Sequence, residues 1–278
     1  MKKYYYVLLF LFGFFSKCTT VNDSSYKNNQ ASENNSYELI WQDEFSYNGL
    51  PDSTKWSYDI EGNDWNWGNN ELQNYTYSRI ENSFVDGQFL HIIARKEAFE
   101  GKEYTSTRLI TKNKGDWLYG RFEIRAKLPK GRGIWPAIWM LPTNWEYGDW
   151  PKSGEIDIME HIGYMPDSVF ASAHTEAYNH IIGTNKTKGL FLPDCEAEFH
   201  NYILEWKENE YKVYVDSIEF FVFKKESDDF RVWPFNKSFH LLLNVAVGGN
   251  WGGLKGVNDS IFPQEMLIDY VRVYQLKN

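Results

Sequence analysis

The sequence predicts an all-β fold, a two-sheet sandwich of jelly-roll type. Three observations carry this. Strictly alternating segments recur along the chain, helical periodicity is scarce, and Phe, Trp and Tyr make up 18% of 278 residues, side chains that favour strands. Many strands separated by turn residues fit two packed sheets. No Gly-rich phosphate loop ahead of a helix and no repeat of fixed length is found.

The amino terminus reads as a targeting segment, residues 1–18. Lys2 and Lys3 precede an apolar run from Tyr4 to Phe15, too short for a stable membrane span. Phe15-Ser16-Lys17-Cys18 resembles a bacterial lipoprotein signal with Cys18 as the lipidated residue. Lys17 and Phe15 depart from the usual small residue and Leu, and plain secretion is the alternative. Either way the protein is exported, to the bacterial envelope as an anchored lipoprotein, or else to the periplasm or medium. With Cys18 modified or removed, Cys195 is alone and no intrachain disulfide can form. Residues 19–36, TTVNDSSYKNNQASENNS, are polar and nearly free of aliphatics, a flexible tether.

The ordered domain, residues 37–278, is expected to start near Tyr37. In RFEIRAKL (121–128), Phe122, Ile124, Ala126 and Leu128 share one face and the charged residues share the other. FLHIIAR (89–95), YKVYVDSIEFFVF (211–223), FHLLLNVAV (239–247) and LIDYVRVYQL (267–276) also read as strands. Asp216-Ser217 is a hairpin turn without the favoured Gly. The formal net charge of −9 argues against nucleic acid or an anionic membrane surface as partner and allows a neutral ligand. Any membrane attachment is through the lipid anchor alone, and the chain is expected to be a monomer.

The stretch GEIDIMEHIG (154–163) holds Glu155, Asp157 and Glu160. On a regular strand Glu160 would point away from the other two and into the sandwich, where an unpaired acid is costly. A β-bulge around Ile158-Met159 turns all three to one concave, solvated face. Four strand steps separate the outer Cα atoms by roughly 13 Å. Inward-leaning side chains can then approach to about 5–5.5 Å, the separation that lets one carboxylate attack a sugar and the other protonate its leaving oxygen. Asp157 between them can orient the attacking group and raise its neighbours' proton affinity. A solvated acidic face is the plain alternative. A metal site using the adjacent His161 is a third reading, without the usual zinc spacing. Trp135, Ala137 and Trp139 in GRGIWPAIWMLP (131–142) share strand parity, so the two indoles can stack on sugar rings. Pro136 suggests an edge or a strand start. His174 can reach a cleft from the next strand.

On these residues the chain resembles glycoside hydrolase family 16, in particular its laminarinase-like endo-β-1,3-glucanases. The resemblance runs from Trp41 to Gln275 through WQDEFSYNGLPDSTKW (41–56), NNELQNYT (69–76), YTSTRLIT (104–111), YGRFEIRAKLPKGRGIWPAIWMLP (119–142), WPKSGEIDIMEHIG (150–163), FHNYILEW (199–206), LNVAVGGNWGG (243–253) and FPQEMLIDYVRVYQ (262–275). It implies a jelly roll with a substrate cleft across the concave sheet. It implies Glu155 as nucleophile, Asp157 as assisting acid and Glu160 as acid/base, acting on β-glucan without a cofactor. By the same resemblance Trp135, Trp139, Asn69, Arg108 and His174 are sugar contacts and Trp251 a stacking platform. A structural calcium on the convex side would take Glu44, the Gly87 carbonyl and Asp269, oxygen donors that suit the ion. LFLPDCEAE (190–198) departs from the family and reads as a variable loop. Hydrolysis of mixed-linkage glucan or of a galactan such as agar, transglycosylation, and a non-catalytic sugar-binding lipoprotein are the competing readings.

Overall fold

The computed structural model describes residues 36–277; the expected signal, Cys18 and nearly all of the expected tether lie outside the described residues. The chain enters its first strand at Tyr37 and folds into two mainly antiparallel sheets of eleven and eight strands. Among the described residues no helix is long and apolar enough to cross a membrane.

The outer sheet runs Ile218–Lys224, Glu210–Val215, His200–Trp206, Gly120–Lys127, Gln264–Leu276, Leu90–Phe99 and Ser83–Asp86, ending at the short Asn48–Gly49. Tyr37–Asp43 also pairs with Gln264–Leu276. Phe122, Ile124 and Ala126 are fully buried, the inward set expected from their alternation. Val215 pairs with Ile218 across a two-residue turn, and Asp216 takes the positive φ of 54° that a Gly would adopt at less cost.

The second sheet carries the cleft. Its order is Lys186–Phe191, Ser168–His174, Glu155–His161, Ile134–Pro142, Phe239–Val247, Arg108–Ile110 and Ser57–Tyr58. One continuous core lies between the sheets. Trp206, Tyr211, Trp233, Phe235 and Phe239 form its aromatic centre, with Trp233 and Phe235 edge to face at 5.2 Å, a favoured quadrupole geometry. Fourteen aromatic side chains are buried in this core and six more pack against it, about half of those among the described residues. Cys195 is a buried free thiol that burial pushes up to about 12.

Pro136 is a correction. It lies inside the central strand Ile134–Pro142, paired with Val245. The ladder to the acid strand begins one residue later, at Ala137 opposite Glu160, so no partner there needs the N–H that proline lacks. Residues 190–198 are also more structured than a loop: Leu190 and Phe191 end a strand, and Leu192 and Cys195 are buried.

Candidate active site

The acid strand is bulged where its spacing requires. Asp157 pairs with Ser172 and Glu160 with Phe170, so Ile158 and Met159 together oppose Ala171. On the other side Met159 pairs with Ile138 and Asp157 with Trp139, leaving Ile158 as the extra residue. Both bulge side chains are fully buried, which leaves the three acids on the opposite face. Glu155 pairs with His174. Glu160, Ala137, Asn244 and Arg108 form one row across four strands, and directly opposed residues share a face.

The face is concave but not solvated, against expectation. Asp157 is 3% and Glu160 9% exposed. Indoles cover them. Trp150 Nε1 donates to Glu155 Oε2 at 3.0 Å, and Trp135 Nε1 donates to Glu160 Oε1 at 3.1 Å. His174 Nε2 lies 3.3 Å from Asp157 Oδ2 and 3.8 Å from Glu155 Oε1. His161, the neighbour in sequence, is turned away and held by the Ser168 carbonyl and Glu196; the imidazole beside the acids is that of His174.

Burial is the first cause of the acids' proton affinity. It pushes Glu155, Asp157 and Glu160 each to about 8. Asp157's charge raises both glutamates further, and the indole donors and His174 pull them back. Three adjacent carboxylates in a dry site cannot all ionise near neutral pH, so the cluster holds protons there. A protonated carboxyl beside an ionised one is what general acid and nucleophile require.

Trp135 and Trp139 both line the cleft, partly exposed. Trp251 meets Trp135 edge to face at 5.9 Å and Phe170 at 5.1 Å. The glycines of GGNWGG permit this: a Cβ on Gly252 would lie 2.6 Å from the Gly248 carbonyl oxygen and 2.8 Å from Trp135 Cβ. Arg108 is brought to the row but is only 9% exposed. Its guanidinium is sandwiched by Trp67 at 4.3 Å and Trp139 at 4.7 Å and paired with Asp59 at 3.0 Å. It acts first as a spacer between indoles. Asn69 is partly exposed at the same end and accepts the Asn250 N–H on its carbonyl. Trp150, Asn244, Glu71 and Trp67 were not singled out from sequence. Asn244 had a visible signal, a lone amide in the apolar run FHLLLNVAV.

Glu44, Gly87 and Asp269 border one stretch of the Gln264–Leu276 strand, since Asp43 pairs with Val271 and Leu90 with Ile268. Arg272 donates to both oxygens of Glu44, and Arg125 holds Asp269. The donors suit calcium in kind, and both acids already have a guanidinium partner.

A bulged acid trio beneath indoles, on one sheet of a sandwich, defines a carbohydrate-cleaving enzyme of the two-carboxylate class. Residues 64–272 match the family described as Glycosyl hydrolases family 16, and the chain belongs to it. It is 52% identical over 246 residues to a beta-glucanase of Rhodothermus marinus, covering 86% of this chain and 85% of the relative. The crystal structure of the laminarinase from Rhodothermus marinus superposes with a TM-score of 0.85 at 51% identity, covering 87% of this chain and 99% of that one. A non-specific endo-β-1,3(4)-glucanase of the same family superposes at 0.82 and 43% identity, covering 87% and 92%.

Proposed function

We propose that the protein hydrolyses internal β-1,3-glucosidic bonds of laminarin-type glucans with retention of configuration. The observation that carries this is the bulge, which sets two glutamates on one face with an aspartate between them. Glu160, protonated, gives its proton to the glycosidic oxygen as Glu155 attacks the anomeric carbon. The leaving chain departs as the free alcohol and a glycosyl ester forms on Glu155. Glu160, now ionised, takes a proton from water as that water attacks the anomeric carbon, the bond to Glu155 breaks to release its carboxylate, and both acids are restored. Trp135 holds Glu160 and Trp150 holds Glu155, so each carboxylate meets the sugar in one orientation.

The test is reducing-end release from laminarin, with NMR of the first product to read the anomer. A β-anomer is expected; an α-anomer or no release overturns the reading. Glu155→Ala is expected to lose at least about 10³-fold in kcat while still binding oligosaccharide. A second reading, mixed-linkage glucan, is favoured by the likeness to the β-1,3(4)-glucanase; lichenan as a parallel substrate separates the two.

We propose further that the protein is exported and anchored through Cys18, which radiolabelled lipid incorporation, lost in Cys18→Ser, would test. We also propose that calcium binds at Glu44, Gly87 and Asp269. Displacing two partly exposed arginine pairs costs little, since such pairs contribute about 0–1 kcal/mol each. At a hundredfold excess over Kd the ion adds about 2.7 kcal/mol, worth roughly 5 °C in Tm for a domain of this size. Calorimetry with calcium and with a chelator checks this, with Glu44→Gln expected to abolish the difference.

A further inference from the structure

We propose that Glu71 is a positioning residue that sets the Trp139 platform through a one-way chain of hydrogen bonds. The proposal rests on the reading of the cleft as a glycan-cleaving site, not on the choice of linkage. Glu71 is a fourth buried acid on the cleft side, 7% exposed, and the two-carboxylate chemistry does not use it. It forms an isolated bridge to Gly248 beside the cleft sheet.

The chain's direction follows from donor inventory. The indole N–H of Trp139 can only donate, and it does so to Asn244 Oδ1 at 2.7 Å. That orients the amide, so Asn244 Nδ2 donates to the Tyr75 hydroxyl at 2.9 Å. The hydroxyl, having accepted, donates onward to Glu71 Oε2 at 3.4 Å. Gln73 arrives from the other side. Its carbonyl is committed to the Val247 N–H at 2.8 Å, so its amide donates to the same Glu71 oxygen at 2.7 Å. Asn69 Nδ2 approaches Oε1 at 3.5 Å.

Every neighbour therefore presents a proton to Glu71, and a carboxyl oxygen receives the chain at its end. Arg108, stacked on Trp139, and Lys102 are the cations whose charge bears on it. Burial holds the Glu71 carboxyl above its ordinary range, and the Gln73 bond, Arg108 and the Asn69 and Tyr75 bonds pull it back in part. A glutamine has one acceptor oxygen where the carboxylate has two: either its NH₂ opposes the Asn69 amide, or it faces Tyr75 and Gln73 and reverses or breaks the chain. Asn244 would then be free to flip, and the Trp139 indole would lose its fixed tilt above the glucan.

Trp139 binds sugar and does not move protons, so the loss belongs in KM. Kinetics are read on laminarin or lichenan, whichever the wild type cuts faster. Glu71→Gln is expected to raise KM about tenfold with kcat within about twofold. Tyr75→Phe removes one hydroxyl, cuts the chain at its middle and is expected to do the same even where Glu71→Gln does not fold. Trp139→Phe keeps the ring and deletes the first donor. In that background either substitution is expected to change KM by less than about twofold, because the chain has nothing left to orient. The proposal is overturned by a full KM effect persisting in the Trp139→Phe background, by a fall in kcat at constant KM, or by no effect in either variant. A wild type inactive on both glucans would instead defeat the functional reading itself.

Discussion

At the scale of single residues, the site works by controlling where protons sit in a dry place. Burial makes every carboxylate of the trio a weak acid, and specific donors then distinguish them. Trp135 matters most here, because its N–H bonds Glu160, the proposed acid/base, directly. A donor to a carboxylate favours the ionised form, so this bond holds Glu160 below where burial alone would put it. Trp135→Phe keeps the ring and removes the donor. A lost hydrogen bond of about 1 kcal/mol corresponds to roughly 0.7 of a pKa unit. The basic limb of kcat/KM, where Glu160 must still be protonated, is expected to move upward by about that amount. A pH–rate profile of the variant checks it, and a downward move would mean the indole stabilises the neutral acid. Asp157 is the complementary case. Its buried Oδ2 has no aligned hydrogen bond, with His174 Nε2 3.3 Å away, so an anion there depends on a protonated His174.

At the scale of elements, the bulge is the device that reconciles three acids with one core. Its role is parity alone, and that has a direct consequence. Deleting Ile158 removes the extra residue and leaves Asp157, Met159 and Glu160 in regular alternation, with the acids still on a common face. Deleting Ile156 instead puts Glu155 out of phase with Asp157 and drives it into the core. The first deletion is expected to fold and keep measurable hydrolysis. The second is expected to abolish activity and to cost about 3–5 kcal/mol through an unpaired buried charge; reducing-end assays and urea melts distinguish them. Much of this was legible beforehand because a period of two is a local signal: the inward set of residues 121–128, the 216–217 turn and the bulge itself can be read within ten residues. Pro136 misled because a missing N–H is judged by the ladder beside it, which sequence does not display. The Glu71 chain was illegible for another reason. Asn244 and Tyr75 are 169 positions apart, and no local pattern announces a partner at that distance. The dryness of the face is hidden for a related reason: Trp135 reaches Glu160 from 25 positions away, and Trp150, five positions before Glu155, shows no local pattern that folds its indole back over the acid.

At the scale of the whole molecule, the cleft opposes the stability that the core supplies. One continuous core joins both sheets, and the acids sit directly above it on strands whose other face is fully buried. Unfolded, Glu155 and Glu160 would titrate near 4.5; folded, each is pushed to about 8. Between those values the folded state holds protons that the unfolded state releases. Stability must therefore fall as pH rises from about 4.5 through 8. The opposite sign governs Glu97. Its carboxyl is held down at about 2, chiefly by Arg79, and that contribution is lost as pH falls from 4.5 toward 2. His240, which burial pushes down to about 3, adds a contribution lost as pH falls below about 6.5, so the opposing slopes place the stability maximum on the acid side of neutrality. Removing charge from the trio should then stabilise the fold wherever the wild type is forced to ionise. Glu160→Gln, alone or with Asp157→Asn, is expected to raise Tm by roughly 2–5 °C at pH 8 and to show little difference at pH 5, while losing turnover at both. Calorimetric melts across that range decide the matter. A variant less stable than the wild type at pH 8 would mean that the trio's charges are better solvated by the indoles and His174 than their burial implies, and that the cleft carries no energetic cost to the fold.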